Sequence, residues 1–518
     1  MRLLALRGGL GDPPWRRFLL LWLGVALFLI LVAAFLSDGY YHPDEHFQTL
    51  EFAGLKLGIT PAADLPWEYA YRIRSFVQPG LYVLIARALT GVGVDDPFRW
   101  ALAFRLVSGL FAWLALCALA LAAYRWLDGE DARRYAVLAA CIAWYMPYLA
   151  VRTSSESLGG SCFILGFVLL ALFEEGPSPA FADLASGLFL GLSFDLRYAL
   201  GVAVAGVLIW AVGIARIPVR RWGLCVCGIA LSVGFGALVD RWGYGIWELP
   251  AWRYLSTNLV HGQAVGRFGE LPWYGFLTLA LKNPLSPLVL LLMGGAVLSW
   301  CRRPFHALTW ATAPLFLAHS LIRHKEFRFL FPLAPIAPFL LVMALYPSPG
   351  SPSLLQGVWA ARRGLVARIL FAVDVLALGA LALLPLRPEL DFQRFVRRAF
   401  PTHFEAYLVA EDSPWGGGGL QMDFYKPRSF VLHRAESVGE VEGRKLKRFL
   451  LITGSFDHDG SPGVRYRCDV LFRGMPYGAR YVWEEQDVPA PYWNLYRCHR
   501  PLALDPPAQG STSTPAPE

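Results

Sequence analysis

The amino-acid sequence predicts an all-α polytopic membrane protein of about 11 transmembrane helices, followed by a small C-terminal extracytoplasmic domain of α/β or β-rich type. Three observations predict it. Of the 518 residues, 56% are hydrophobic and only 17% charged, with a mean hydropathy of +0.43, whereas soluble domains carry roughly 25% charge. Uncharged apolar runs recur through the first three quarters of the chain, on the scale of the ~20 helical residues that a ~30 Å hydrocarbon core requires. From residue 387 the composition turns polar. The net charge of +8 is modest for this length, and the basic residues sit at loop edges rather than in a stripe with interleaved aromatics, which excludes a nucleic-acid binder.

The first span is residues 18–36, FLLLWLGVALFLILVAAFL, without a charge. A signal peptide fits it poorly, because the run exceeds a ~7–15 residue apolar region and Ser37-Asp38-Gly39-Tyr40 is no small-residue cleavage site. Further spans are expected near 101–124, 134–151, 157–173, 183–195, 198–215, 223–240, 284–300, 307–321, 328–346 and 366–386. The run at 183–195 is short and Gly-punctuated, as half of a broken helix would be, so ten or twelve spans are alternatives. Arg side chains mark alternate loops: Arg2, Arg7, Arg16 and Arg17 precede the first span, Arg125, Arg133 and Arg134 follow the second, and Arg216, Arg220, Arg221, Arg302, Arg303, Arg362, Arg363 and Arg368 keep the same parity. Positive charge stays in cytoplasmic loops, so the N-terminus is cytoplasmic and the segments 37–100, 152–156, 195–197, 241–283, 322–327 and everything after 386 face the other side. The acidic loop 174–183 is the exception to this pattern.

The domain plan is therefore a membrane domain over 1–386, an extracytoplasmic domain over 387–504 with strand-like pieces such as KRFLLITG and RYVWEEQ, and a disordered tail over 505–518 with nothing to bury. Of the eight cysteines, Cys468 and Cys498 fall in the extracytoplasmic domain and are candidates for one disulfide. Cys225 and Cys227 resemble half a metal site, but residues two apart on a helix point to different faces and no second pair exists. The Asp457-His458-Asp459 tripeptide reads as a loop. No metal site and no cofactor is expected.

Polar clusters collect in the outer loops. Directly after the first span, YYHPDEHFQTLEFAG sets the adjacent carboxylates Asp44 and Glu45 between His42 and His46, with Gln48 following. A carboxylate near a membrane surface suits proton abstraction from a hydroxyl; equally, Pro43 can start a helix whose first turn carries Asp44 and Glu45 to complement the dipole. At the mouth of a later span, LIRHKEFRFLFP crowds Arg323, His324, Lys325 and Arg328 around Glu326. Cations on the non-cytoplasmic side suit a phosphate held near the interface, or simply snorkel there. Between these clusters, DRWGYGIWELPAWRYLSTN holds Asp240, Arg241 and Trp247 in an aromatic-rich stretch that serves as an interfacial belt or stacks on sugar rings.

Together HPDEHFQTLEFAG, DRWGYGIWELP and RHKEFRFLFPLAPI resemble, in order and on one expected side, the signatures of glycosyltransferase family 22, and within it the GPI mannosyltransferases. The resemblance implies a GT-C fold and an inverting mannosyltransferase that uses a polyprenyl-phosphate-mannose donor and a glycolipid or glycan acceptor. It implies Asp44 as catalytic base with Glu45 beside it, and Arg323, His324, Lys325 and Arg328 on the donor phosphate. His42, His46, Gln48, Arg197, Asp240 and Trp247 are the remaining expected substrate contacts. The chain departs from the family pattern at VRTSSESLGG, where Glu156 stands in place of Asn, and after Arg197, where Tyr198 stands in place of Pro. Three Asn, none beginning a glycosylation sequon, and six Lys against 41 Arg suit a high-GC genome and favour a bacterial inner membrane over the endoplasmic reticulum, with the site on the periplasmic or lumenal face. A lipid-linked sugar transporter or flippase is the alternative; it would be expected to show repeat symmetry and mid-bilayer polar residues, and the sequence shows neither.

Overall fold

The computed structural model describes residues 11–173, 178–346, 368–369, 371–379, 381, 388–410, 412–417, 419–454, 466–474 and 492–500. The Asp457-His458-Asp459 tripeptide, the RYVWEEQ segment, the tail at 505–518, and Arg2, Arg7, Arg362 and Arg363 lie outside the described residues, as does part of the loop 174–183 and of the span at 366–386. Contacts divide the chain into two compact units, 1–386 and 387–518.

Among the described residues, helices occupy the apolar segments of the first unit, but their lengths differ. Four cross a bilayer by length and composition alone: Pro13–Leu36, Pro97–Trp126, Ser155–Leu172 and Val219–Tyr244. Two bent pairs qualify only together, Ser286–Arg302 with Ala307–Leu321 at 119° and Phe327–Leu333 with Ala337–Leu345 at 71°, which makes up to six among the described residues. The expected count of eleven is therefore not confirmed among the described residues. Glu130–Ile142 has 13 residues and Ala180–Leu196 has 17, which at ~1.5 Å per residue falls short of ~30 Å. The expected span at 134–151 breaks at Ala143 and resumes as Met146–Ala150, with Pro147 just inside its start. The outer loop 37–100, undivided in the sequence reading, contains the helices Glu51–Leu57, Trp67–Tyr71 and Val77–Gly91.

The core of this unit runs from Trp15 and Leu19 through Trp126, Phe163 and Phe167 to Trp210 and Phe339. Ala180–Leu196 lies against both Ser155–Leu172 and Val219–Tyr244. Small residues make that approach possible: a Cβ at Gly187 would overlap the Cys225 carbonyl, and one at Gly228 would overlap the Leu184 carbonyl. Where lipid tails are as apolar as the helices, close backbone approach and packing replace the hydrophobic drive. Asp183, from the acidic loop that broke the charge pattern, is buried and paired with Arg221 at 3.0 Å. Arg221 also donates to the carbonyls of Leu170, at 3.2 Å, and Phe173. That acid is a structural partner for a buried cation, so it carries no topological information.

The second unit is a mixed α/β domain. A helix, Pro388–Ala399, precedes β1 (His403–Val409), β2 (Gly416–Gly417), β3 (Leu420–Gln421), β4 (Ser429–Arg434), β5 (Arg448–Thr453), β6 (Arg467–Arg473) and β7 (Asn494–His499). The five-stranded sheet has the order β4-β1-β5-β7-β6, with β1 parallel to β4 and β5 and β7 antiparallel to β5 and β6. Alternation along β1 puts Phe404, Ala406 and Leu408 into one core with Phe392 and Trp415, and Tyr407 into another with Val441 and Tyr496. Cys468 and Cys498 stand opposite each other on β6 and β7 and form a disulfide.

Gly187→Ala should destabilise the detergent-solubilised protein by about 1–3 kcal/mol, because a methyl group there forces two helix backbones apart. Gly223→Ala, which faces open space, should leave the midpoint of thermal unfolding unchanged when both are followed by tryptophan fluorescence.

Candidate active site

The segment after the first span is shaped by its own capping chemistry. Pro43 opens a short helix, the His42 ring nitrogen Nδ1 accepts from the Asp44 amide at 3.2 Å, and Glu45 Oε1 accepts from the amides of Tyr41, at 3.1 Å, and His42, at 3.3 Å. This is a reciprocal capping box with a histidine in the role usually taken by Ser or Thr. Its consequence is a division of labour between adjacent carboxyls. Glu45 turns back onto the backbone and is buried, and its burial pushes its pKa up to about 7. Asp44 is left to point away from the helix.

Asp44 meets Arg328, which is distant along the sequence. The Arg328 guanidinium is buried and lies 2.7 Å from Asp44, 2.5 Å from Glu326 and 3.3 Å from Glu156. Glu156 in turn holds Arg197 at 3.1 Å, and Asp44 has Arg74 at 3.6 Å. His42 links the two arms, 3.4 Å from Asp44 and 3.2 Å from Glu326. Three carboxylates and three guanidinium groups thus balance in formal charge, which is the condition under which so many ions can leave water. Burial by itself would raise the Asp44 pKa, but Arg328, the His42 hydrogen bond and Arg74 outweigh it and hold the carboxyl well below the usual range. Glu326 is likewise brought down to about 2, with burial outweighed by hydrogen bonds from His324 and Arg328. Asp44 is therefore a carboxylate at every physiological pH.

This network forms one wall of a cavity of about 940 Å³. His42, Asp44, Arg197, Arg323, His324 and Arg328, all expected in the site, line it. Gln48 lies at a small recess that shares Asp44 and Arg74 with the cavity, and its amide donates to Glu68 at 2.8 Å. Glu68 itself is buried against the cavity, and that burial raises its pKa. Apolar and aromatic side chains, including Phe194, Trp252, Leu255, Phe268 and Leu315, also line the cavity.

Other expected site residues lie outside the cavity lining. His46 is buried with its Nε2 at 2.6 Å from Glu51. Asp240 accepts from Ser75 at 3.0 Å and the Phe76 amide at 2.6 Å, fixing the chain where it enters the Val77–Gly91 helix. Trp247 is 59% exposed, with Arg241 over its ring at 4.5 Å. Lys325 is buried, and its ammonium donates to the carbonyls of Leu271 at 3.0 Å and Ile322 at 2.5 Å. Neither these four nor Glu45 lines the cavity. The RHKEFR cluster accordingly separates: Lys325 joins two loops, Arg323 stands at the rim, 73% exposed and 3.1 Å from Glu270, and His324 bonds Glu326 at 2.9 Å. Among the described residues, no group of three or more His, Cys, Asp or Glu side chains converges to hold a metal ion.

The sequence reading missed Glu68, Arg74 and His319, which line the cavity from segments with no motif, and singled out the aromatic-rich stretch that supplies Tyr254 without naming that residue. Glu156 was visible only as a departure from an expected Asn. A carboxylate in the first turn of an apolar span was the available signal, since such a group needs a buried cation.

The sequence profile of the Alg9-like mannosyltransferase family matches residues 21–384. Among curated relatives, Mannosyltransferase APTG1 of Arabidopsis thaliana is 26% identical over 340 residues, covering 64% of this chain and 58% of that protein. GPI alpha-1,2-mannosyltransferase 3 of Danio rerio is 24% identical over 333 residues, covering 60% and 58% respectively. GPI mannosyltransferase 3 of Yarrowia lipolytica is 29% identical over 338 residues, covering 62% of each chain. The chain thus spans about six tenths of the length of these relatives. They come from a plant, a fish and a yeast, so the expectation of a bacterial inner membrane finds no support in them. The crystal structure of ArnT from Cupriavidus metallidurans bound to undecaprenyl phosphate superposes with a TM-score of 0.51 at 16% identity, over 84% of this chain and 92% of that one, a likeness of fold.

Glu45→Gln tests the division between the two carboxyls. A folded-state pKa near 7 against an ordinary 4.5 means that the native state holds the proton longer than the unfolded chain does, so wild-type stability falls as pH rises from 4.5 through 7. Glutamine does not titrate. The stability of Glu45→Gln relative to wild type should therefore increase across that window, by at most ~3 kcal/mol, read as the difference in unfolding midpoint at each pH; a constant difference would contradict the assignment.

Proposed function

The chain belongs to the Alg9-like mannosyltransferase family, and from that membership we propose that it transfers mannose from a polyprenyl-phosphate donor of the dolichyl-phosphate-mannose kind to a hydroxyl of a glycolipid or glycan. One observation carries the reading. A carboxylate, Asp44, lines a large cavity that carries both charged and apolar side chains, and it is kept ionised there by Arg328. The names of the Danio rerio and Yarrowia lipolytica relatives support a GPI-type glycolipid as acceptor.

In this reading the acceptor hydroxyl lies against Asp44 and attacks the anomeric carbon of mannose. The new C–O bond forms as the bond to the phosphate oxygen breaks, and the phosphate leaves with the electron pair. Asp44 takes the hydroxyl proton. A carboxylate of depressed basicity is adequate, because the attacking oxygen becomes strongly acidic once it is bonded to carbon and the proton moves late. A single displacement inverts the centre, so a β-linked donor gives an α-mannoside. Arg328 orients Asp44 by a two-sided grip with Glu326 and Glu156, which keeps the carboxylate from drifting toward solvent. No cofactor enters the reaction; the lipid-phosphate sugar is a substrate. The site faces away from the cytoplasm, as the Arg pattern of the loops indicates.

Asp44→Asn keeps the shape and loses the proton-accepting charge. Mannose transfer by membranes containing the variant should fall by ~10²–10⁴ with protein abundance unchanged. Because Asp44 titrates far below neutrality, wild-type turnover between pH 7 and 5 should show no loss assignable to it. Near-normal transfer by Asp44→Asn would refute the base assignment.

A further inference from the structure

Arg152 does not line the cavity, yet it is only 1% exposed and its charge is spent on a turn of backbone. Its Nη1 donates to the Gly39 carbonyl at 3.0 Å, and its Nη2 to the Ser37 carbonyl at 2.6 Å and the Ser37 hydroxyl at 2.7 Å. These acceptors lie just past the end of the Pro13–Leu36 helix, where carbonyls lack intrahelical donors and the helix dipole is negative. A planar fork reaches two carbonyls at once, which a compact ammonium on a flexible stem does not. The Tyr148 ring, 4.4 Å from the guanidinium, backs the fork.

The place of Arg152 along the chain gives this grip a further consequence. Ser154 caps the Ser155–Leu172 helix by accepting from the Ser157 amide at 3.2 Å, and Glu156 in its first turn holds Arg328 at 3.3 Å. Arg328 holds Asp44 at 2.7 Å. Asp44 in turn belongs to the capped turn that begins at His42, shortly after Gly39. The contacts therefore close a ring: Arg152, the turn at 37–39, the short segment to Asp44, Arg328, Glu156 and the short segment back to Arg152. Both backbone arms are stiffened by their own caps, so closing the ring leaves Asp44 little freedom to shift toward or away from the membrane.

Resting on the mannosyltransferase reading, we infer that Arg152 is a positioning residue: by gripping residues 37–39 it closes this ring and sets the depth at which Asp44 meets the acceptor hydroxyl. Its effect on transfer passes through Asp44. Arg105 provides the contrast within the molecule. It donates to the Ala34 carbonyl at 2.8 Å and pairs with Asp38, but it comes from the Pro97–Trp126 helix, outside the ring. Arg152 has a second, purely electrostatic influence that must be told apart from the grip. Burial pushes the Glu45 pKa up, and the Arg152 charge is the largest influence opposing that rise.

The test uses the full chain in detergent, with the unfolding midpoint and mannose transfer measured for each variant. Arg152→Met should lower kcat about tenfold with donor KM changed less than about twofold, because a misplaced base harms the proton transfer more than binding. Arg152→Lys keeps the charge facing Glu45 and loses the fork, so its kcat should stay near that of Arg152→Met; full recovery by lysine would make the charge the cause and overturn the grip. In an Asp44→Asn background, Arg152→Met should cost less than about twofold more, since the residue acts through a base that is already gone. The same tenfold loss in both backgrounds would mark a merely structural role and overturn the inference. Arg105→Met should lower the unfolding midpoint while kcat of the folded protein stays within about twofold of wild type; a kcat loss equal to that of Arg152→Met would overturn the ring. The midpoints give a reading independent of activity. A ring opened once is not opened again, so the depression in Arg152→Met with Asp44→Asn should be smaller than the sum of the two single depressions, and additive depressions would overturn the ring. If Arg152→Met does not fold, the same cycle is run with Arg152→Lys. Sub-additive midpoints in a protein whose wild type transfers no mannose would keep the ring and refute the proposed function instead.

Discussion

A buried arginine with three carboxylate partners organises the polar end of the membrane unit. Arg328 cannot remain in a poorly hydrated position alone, and its partners Asp44, Glu156 and Glu326 come from the loop after the first span, the start of the Ser155–Leu172 helix and its own loop. Each of those segments is therefore held at the depth of one guanidinium. Arg197 and Arg74 extend the network to the end of the Ala180–Leu196 helix and to the approach of the Val77–Gly91 helix. Breaking the network at any one point would leave an uncompensated ion, so the segments are coupled energetically as well as spatially.

Such coupling demands a scaffold that does not slide. Close backbone contact through Gly187 and Gly228 fixes Ala180–Leu196 against Val219–Tyr244, and the buried Arg221–Asp183 pair anchors the start of that same helix. A helix fixed at its beginning and along its length delivers Arg197, at its end, to a defined place. Phe329 extends this ordering into the cavity, with Arg197, Arg328, His319 and His324 all placed against one ring.

The lining of the cavity mixes two kinds of surface. Charged groups keep Asp44 ionised and oriented. Leu315, Leu255 and Phe268 add apolar surface suited to hydrocarbon. The proposed transfer from a lipid-borne sugar to a polar acceptor would use both within one site. The unit from residue 387 onward is held by its own sheet cores and a disulfide between neighbouring strands, so its stability has a source independent of the membrane helices.

Much of this was legible in the chain itself. Hydropathy located the apolar segments and the onset of the polar domain, because burial in lipid acts on local composition. The HPDE and RHKEFR motifs identified Asp44, His42, His324 and Arg328, whose residue types already declared their chemistry. Which groups remain available was decided only in three dimensions. Lys325, His46, Asp240 and Glu45 have the composition of site residues, yet each is engaged with a partner of the fold: two carbonyls, Glu51, the Ser75–Phe76 turn and the backbone of its own cap. Glu68, Arg74 and His319 have no motif and reach the cavity through folding alone. Helix length likewise escaped composition, since an apolar segment reads the same whether it runs straight or bends at a break. The sequence by itself determined the membrane solvent, the order of the segments and the presence of a carboxylate just outside the first span, all of which depend on residue type and near neighbours. Tertiary structure alone decided the pairing of charges, because a buried ion takes its partner from whatever segment packing brings within a few ångströms, however distant it is along the chain.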